Sequence, residues 1–435
     1  MRFFFIFNFG IMCFLHLAQA YSVKDSVRNL DDSVKTYISK PVITIGKSLP
    51  GLGVDGVNYS KTSLSADFLK NIPSKKMEHI AMLLPGMEFR DYGGTGALAL
   101  ISSRGLGPQR LSVLIDGIPL SSPQNGMFDA GSLPVLSNQD IVFHSGGASA
   151  FVGSGAMGGY LELSTPYGAD SLQVKSQVGL GSYGEKTVKT SLTTGNRLES
   201  YQCSVDYTDF QGDYPIEYQS PGLSSIQTAT RVNGGTSSLF FFGRAGFSSE
   251  NQQNTIAFWS ALKSVSRGVP GAVLSGRIED SKAHFGDNEL LSSCVFTKQF
   301  SESQLLKGGL SYRYGRMHFK DSSALYAGKN GVDNDFITND VFCDVQSQTI
   351  VLEHLIATLK LNGGYTVVQG DMLQQEAGNS PSRLFGALSA RMEYQVDAMH
   401  YDFGTRADFF NDASGNALSA YLSNTWNFFG GFFLK

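Results

Sequence analysis

The sequence predicts a mainly β fold in two parts. A small mixed α/β domain runs to about residue 168, and an antiparallel transmembrane β-barrel follows it. Three observations carry this reading. After Gly168, apolar and polar residues alternate over strand-length windows. The 435 residues include 49 glycines and 12% aromatics but only 17% charged residues, against about 25% in an average globular chain. And the chain opens with an export signal: Arg2, a mostly apolar run from Phe3 to Leu17, then Ala18-Gln19-Ala20 as a cleavage site. Asn8 and His16 interrupt that run, and it falls short of the ~20 apolar residues of a membrane-spanning helix.

In chain order, residues 21–60 form a polar, Gly-rich arm. Within it Pro41-Val42-Ile43-Thr44-Ile45-Gly46 is a β-prone run. A helix follows: Ser74 is a suitable N-cap, Met77, Ile80, Ala81 and Leu84 fall on one face, and Pro85-Gly86 ends it. Strand signals come next at Leu98 to Ser102, Leu111 to Ile115, Ile118 to Leu120, Asp140 to Phe143 and Tyr160 to Ser164. Asp116-Gly117 makes the turn between the second and the third.

The alternating region begins with Leu172, Val174, Val178 and Leu180. It recurs at Tyr201, Cys203, Val205 and Tyr207, and again at Tyr401, Phe403, Ala407 and Phe409. A soluble sandwich has the same alternation. Tyr and Phe on the apolar face, long runs such as Leu355 to Val368, and the export signal favour a membrane barrel. So does the contrast between a tight turn at Thr194 to Asn196 and a long connection from Gly212 to Gly235. Roughly twelve strand-like segments lie between residues 170 and 430.

Little in the chain points to chemistry. The net charge of −4 leaves no basic footprint for nucleic acid. Gly153-Ser154-Gly155-Ala156-Met157-Gly158 fits the spacing of a dinucleotide loop, but a β-prone run follows it where a helix is needed. Asp333-Asn334-Asp335 lacks the glycine and distal Glu of a calcium loop. Once Cys13 leaves with the signal, Cys203, Cys294 and Cys343 remain, far apart and in strand-like runs, so neither a disulfide framework nor metal-ligand spacing results. No catalytic residue, metal site or cofactor is expected, and the chain does not read as an enzyme.

The stretch Met82 to Thr165 carries three features in one order. They are Leu84-Pro85-Gly86, then Arg104-Gly105 followed by Leu114-Ile115-Asp116-Gly117, then a Gly-rich segment through Gly153 that ends in Gly158-Gly159. That order resembles the plug domain of TonB-dependent outer-membrane receptors, and the resemblance extends over residues 41 to 165. Gly212-Asp213-Tyr214-Pro215 with Arg231-Val232-Asn233, and Arg267-Gly268-Val269-Pro270-Gly271, are similar to segments after the first barrel strands of cobalamin- and siderophore-receptor-like members. His144-Ser145-Gly146-Gly147 and Val152 depart from the family pattern in ways a plug turn tolerates.

The resemblance implies a receptor in the Gram-negative cell outer membrane that takes up a scarce, large nutrient of the ferric siderophore or cobalamin class. Its domains would be a signal peptide (1–20), a periplasmic arm (21–60), a plug (61–168) and the N-terminal part of the barrel (169–435). Pro41 to Gly46 is the candidate TonB box, gripped by TonB through β-strand addition. Arg104, Gly105, Asp116, Gly117, Gly153, Gly158 and Gly159 are the plug's structural motif. Arg104 is expected to be buried and paired with acidic residues of the barrel wall. The outward plug loops, Asp91 to Ala97 and Ser121 to Asp129, offer Asp91, Tyr92, Gln124, Asn125, Met127 and Phe128 to a ligand. Family barrels have twenty-two strands, about the size that needs a plug, so roughly twelve strands make an incomplete barrel. The alternative is a non-transport outer-membrane barrel, an adhesin or structural protein, with a plug-like domain.

Overall fold

The computed structural model describes residues 60–72, 76–136, 139–145, 149–164, 171–219, 225–270, 273–274, 277–278, 282–322, 324, 331–370, 380–396, 399–412, 414–427 and 433–434. The export signal, the arm and Pro41 to Gly46 lie outside the described residues, as does the expected cap Ser74.

The first domain is built on a five-stranded sheet of order β1-β6-β7-β4-β5. Its strands are β1 (Ser60–Leu64), β4 (Ser112–Ile115), β5 (Ile118–Pro119), β6 (Asp140–Ser145) and β7 (Tyr160–Ser164). β2 (Met87–Asp91) and β3 (Ala99–Ser103) form a separate antiparallel pair. Short helices span Ala66–Lys70, Met77–Ala81 and Ser149–Val152. The expected apolar face packs as read: Met77, Ile80, Ala81 and Leu84 are all buried. They join Ile101, Val113, Ile141, Phe143, Leu161 and Leu163 in one core.

The glycine motifs take the conformations that their chemistry allows. Asp116 and Gly117 have φ 48° and 84° between the paired Ile115 and Ile118. This is the positive-φ pair that a two-residue hairpin turn needs. Arg104 and Gly105, at φ 55° and 70°, make a similar turn that Leu106 N–H closes onto Ser103 O at 3.0 Å. A Cβ on Gly159 would lie 2.3 Å from the His144 carbonyl, so only glycine lets β6 and β7 approach there. The Gly153 to Gly158 run forms a 3-10 turn at Ser154–Ala156 and leads into β7. No dinucleotide-type helix follows it.

Among the described residues the second part is one antiparallel sheet of thirteen strands. In chain order they are β8 (Gln173–Leu180), β9 (Lys186–Gly195), β10 (Glu199–Phe210), β13 (Thr236–Ser248), β14 (Asn254–Val269), β17 (Ala283–Ser301) and β18 (Gln304–Asp321). Then come β19 (Val332–Leu352), β20 (Leu355–Gly370), β21 (Ser382–Val396), β22 (Met399–Phe410), β23 (Ala417–Asn427) and the two-residue β24 (Phe433–Leu434). Each strand pairs with its chain neighbour in the sheet, and hairpins β11 (Pro215–Gln219)/β12 (Ile226–Thr230) and β15 (Val273–Leu274)/β16 (Arg277–Ile278) stand in two of the connections. Short connections at 196–198, 302–303 and 353–354 lie at one end of the sheet. Long ones at 211–235, 270–282 and 371–381 lie at the other. Among the described residues β8 and β24 are the sheet's two edges, and neither pairs with the other.

The alternation in these strands is inverted relative to a soluble sheet. On β22, His400, Asp402, Arg406 and Asp408 are buried, whereas Tyr401, Phe403 and Phe409 are exposed. Arg391, Arg313, Arg267 and Arg244 are likewise buried on their own strands, while Leu418 and Leu422 are 81% and 75% exposed. Charge inside and hydrocarbon outside fits a sheet whose outer solvent is lipid. Near the short-turn end Tyr201 sits edge-on to Phe247 at 6.1 Å, and Tyr394 lies beside Tyr401 at 6.5 Å. The fold is therefore mainly β, with a mixed α/β domain against the charged face of an antiparallel transmembrane β-barrel that is incomplete among the described residues. The first domain's core runs on into wall residues Phe240, Phe242, Trp259, Leu291 and Phe342.

Candidate functional site

The candidate site is the seam between the first domain and the inner face of the sheet. Both outward loops lie toward the long-connection end. In the first, Asp91 Oδ1 accepts from Gly93 and Gly94 N–H, each at 2.9 Å, which curls the loop tightly. Tyr214 OH, in the 211–235 connection, donates to Gly93 O at 3.1 Å. Tyr92 is 53% exposed. In the second loop Gln124 Nε2 donates to Thr338 Oγ1 of β19 at 3.1 Å, and Asn125 Oδ1 accepts from Met127 N–H at 2.9 Å. Asn125 is exposed and Met127 half-buried. Phe128 departs from expectation: it is buried and belongs to the core, so it is not on the loop surface.

Arg104 also requires correction. It is exposed, not buried, and no hydrogen bond or ion pair of its side chain is seen among the described residues. Its backbone N–H donates to Gly86 O at 2.8 Å, and its place is a turn at positive φ. For arginine the pairing runs the other way, with the guanidinium groups coming from the wall, while Lys76 of the plug pairs with Glu185 at 3.4 Å. Arg244 of β13 lies 3.9 Å from the Asp116 carboxylate. Arg267 of β14 donates to Asp129 Oδ2 at 2.9 Å and to Gly96 O at 3.3 Å. Arg313 of β18 donates to the carbonyls of Ser121, at 2.6 Å, and Pro119. Arg406 of β22 reaches Phe151 O at 3.4 Å while paired with Asp408 at 2.8 Å.

Phe151 is held on its faces as well. Lys360 Nζ lies 5.3 Å from its ring centroid and the Arg391 guanidinium 5.8 Å, a distance at which cations are attracted to aromatic faces. Arg391 itself is paired with Glu393 and, at 2.9 Å, with Asp402. Buried charges are tolerated only when paired in this way.

One acidic group of the first domain lies in the same seam. Glu162 Oε1 accepts from Gly117 N–H at 2.9 Å. Burial pushes the Glu162 carboxyl up to about 8, with the nearby Asp116 carboxylate as a second cause. The Gly117 N–H and the wall lysines Lys360 and Lys307 pull the other way.

Arg267 stands in one of the barrel segments picked out from the sequence, though with no role attached, and Arg244, Arg313, Arg406 and Glu162 were not singled out. A usable signal was present: an Arg in the polar phase of a strand whose other phase is aromatic must face the interior. His144, at a position departing from the family pattern, is buried and stacks on Tyr160 at 4.3 Å, with the rings 6° from parallel.

Comparison with known proteins agrees with this geometry. Residues 54–160 match the family model described as the TonB-dependent Receptor Plug Domain. The whole fold is similar to the FrpB iron transporter from Neisseria meningitidis, with a TM-score of 0.66 at 12% identity over 85% of this chain and 63% of that one. A mutant of the ferric enterobactin receptor from Pseudomonas aeruginosa gives 0.67 at 14% identity, over 86% and 60%. The ferric yersiniabactin uptake receptor from Yersinia pestis gives 0.59 at 13% identity, over 84% and 60%. The chain thus spans 60–63% of the length of these three structures. It carries the plug domain and the fold of the TonB-dependent receptors.

Proposed function

We propose that the chain is the plug and part of the wall of an outer-membrane receptor for TonB-dependent uptake of a ferric siderophore. The observation that carries the reading is a plug tied into a charged barrel lumen, with two loops turned toward the long connections. Iron and siderophore ligands in the names of the similar structures favour that class over cobalamin. In this reading residues 1–20 are a cleaved signal, 21–60 a periplasmic arm, 61–168 the plug and 169–435 wall. Pro41 to Gly46 is the box that TonB captures as an added strand. Asp91, Tyr92, Gln124, Asn125 and Met127 present the ligand surface. The protein is a receptor and not an enzyme.

The sheet's unpaired edges and the share of the solved receptors it spans support a further proposal, that the intact wall includes strands between β24 and β8. Reading the DNA beyond Lys435 tests it. Absence of further alternating strands in every frame would count against it. The uptake reading is tested with radiolabelled iron supplied as a panel of ferric siderophores, beside labelled cobalamin. Uptake should collapse on deleting residues 41–46 and on adding a proton uncoupler. Equal uptake after the deletion would sink the TonB reading, and binding without energised uptake would favour a non-transport barrel.

A further inference from the structure

Two segments of the plug, thirty-odd residues apart, converge on one guanidinium. Arg267 Nη1 donates to Gly96 O at 3.3 Å and Nη2 to Asp129 Oδ2 at 2.9 Å. The Phe285 ring, 4.8 Å from the guanidinium carbon, sets the plane of the fork. Arg267 is 7% exposed, so both bonds are shielded from water. Its cross-strand neighbour Thr236 packs against Gly96, where a Cβ would come within 2.6 Å of Thr236 Cγ2. Asp129 is equally committed: its Oδ1 accepts from Ala99 N–H at 3.2 Å and Gly131 N–H at 3.1 Å. The carboxylate thus caps the base of the first loop and closes the end of the second. Arg313 holds the start of the second loop alone, through Pro119 and Ser121.

We propose that Arg267 is a positioning residue that couples the Asp91–Ala97 loop to the Ser121–Asp129 loop, so that displacing either one from the wall releases both. The coupling depends on the planar fork of arginine, which serves two acceptors at once. A lysine ammonium is a point charge that would stay with the carboxylate and give up the carbonyl. The functional meaning rests on the receptor reading, since those loops are its ligand surface, but the coupling is tested without any ligand.

The test is backbone amide exchange on the full chain in detergent micelles. The probes are the turn N–H groups of Gly93, Gly94 and Ala97 in one loop, and of Ser122, Gly126 and Met127 in the other. Arg267→Ala should speed exchange in both loops by about tenfold or more, the loss expected for a shielded charged hydrogen bond. Arg313→Ala should speed only the second loop. Arg267→Lys should leave the second loop protected while the first exchanges faster. That split would not arise from general loosening of the wall. Should Arg267→Ala fail to fold, Arg267→Lys carries the test alone. Faster exchange in one loop only with Arg267→Ala, or no change in either, overturns the coupling. Wild-type protection of both loops in Arg267→Lys overturns the role of the fork. Intact coupling in a chain that takes up no siderophore would fault the receptor reading and leave this one standing.

Discussion

β7 and β22 have nearly the same alternating pattern and opposite insides. On β7, Leu161 and Leu163 are fully buried in the plug core. On β22 the buried positions are Asp402, Arg406 and Asp408, and Phe403 faces out. The backbone rule is common to both, because successive side chains of a strand point to opposite faces. What differs is the medium beyond the sheet. The plug strand has its neighbours' apolar side chains on one face and the charged seam on the other. The wall strand has lipid on one face and that same seam on the other. The seam therefore collects the polar phase of both, and the two parts are joined there by ion pairs and cation–aromatic contacts.

This contrast can be broken from either side. Arg406→Ala should cost the most, about 3–5 kcal/mol, because it leaves Asp408 buried without its partner and releases Phe151 O. Denaturant titration in detergent reads it, and adding Asp408→Ala should recover part of the loss. On the plug side Phe143→Ala should cost a similar ~3–5 kcal/mol as a core cavity. The comparable deletion on the lipid face, Phe403→Ala, should stay under about 1 kcal/mol in micelles, since no packed cavity forms. Equal losses at the two sites would contradict the inversion. Leu422→Arg, midway along β23, should weaken folding into bilayers by about 2–4 kcal/mol. It should matter far less in detergent.

A pH slope sharpens the same contrast. The Glu162 carboxyl titrates at about 8 in the fold against 4.5 for the ordinary group. Between those values the folded chain keeps a proton that the unfolded chain has lost. This group's contribution to stability is therefore complete below 4.5 and is lost as pH rises through about 8. The slope is at most about 1.4 kcal/mol per pH unit. Glu162→Gln should flatten it, and an unchanged slope would show that Glu162 does not hold the proton.

Periodicity made the strands legible. Tyr160 to Ser164 and Leu355 to Val368 fall within the observed β7 and β20 at almost the same bounds, because a half-buried strand must alternate. The Asp-Gly turn was legible because few residues accept positive φ. β1 and β2 were missed: Ser60–Leu64 and Met87–Asp91 carry mixed polar sequences whose strand state comes from pairing with β6 and β3. The direction of the seam's ion pairs was hidden for a similar reason. Alternation in a membrane wall turns Arg267 inward and Leu262 outward, yet only the folded plug decides which acceptors Arg267 meets. Arg104 was misread because its motif was taken for a charge requirement, while in the fold it answers to turn geometry.

The three thiols acquire a use from the wall's inversion. Among the described residues Cys203, Cys294 and Cys343 are in no disulfide, and they share the outward phase with Val205, Phe296 and Val341. Leu310 of β18 lies between Cys294 and Cys343 in register, so those two sulfurs sit two strands, roughly 10 Å, apart. That is too far for a disulfide and close enough for paired fluorophores to sense each other. With no substitution, the chain carries three fixed depth gauges. Quenchers placed at known levels in the acyl chains would read from them where the sheet sits in the bilayer and how far it tilts.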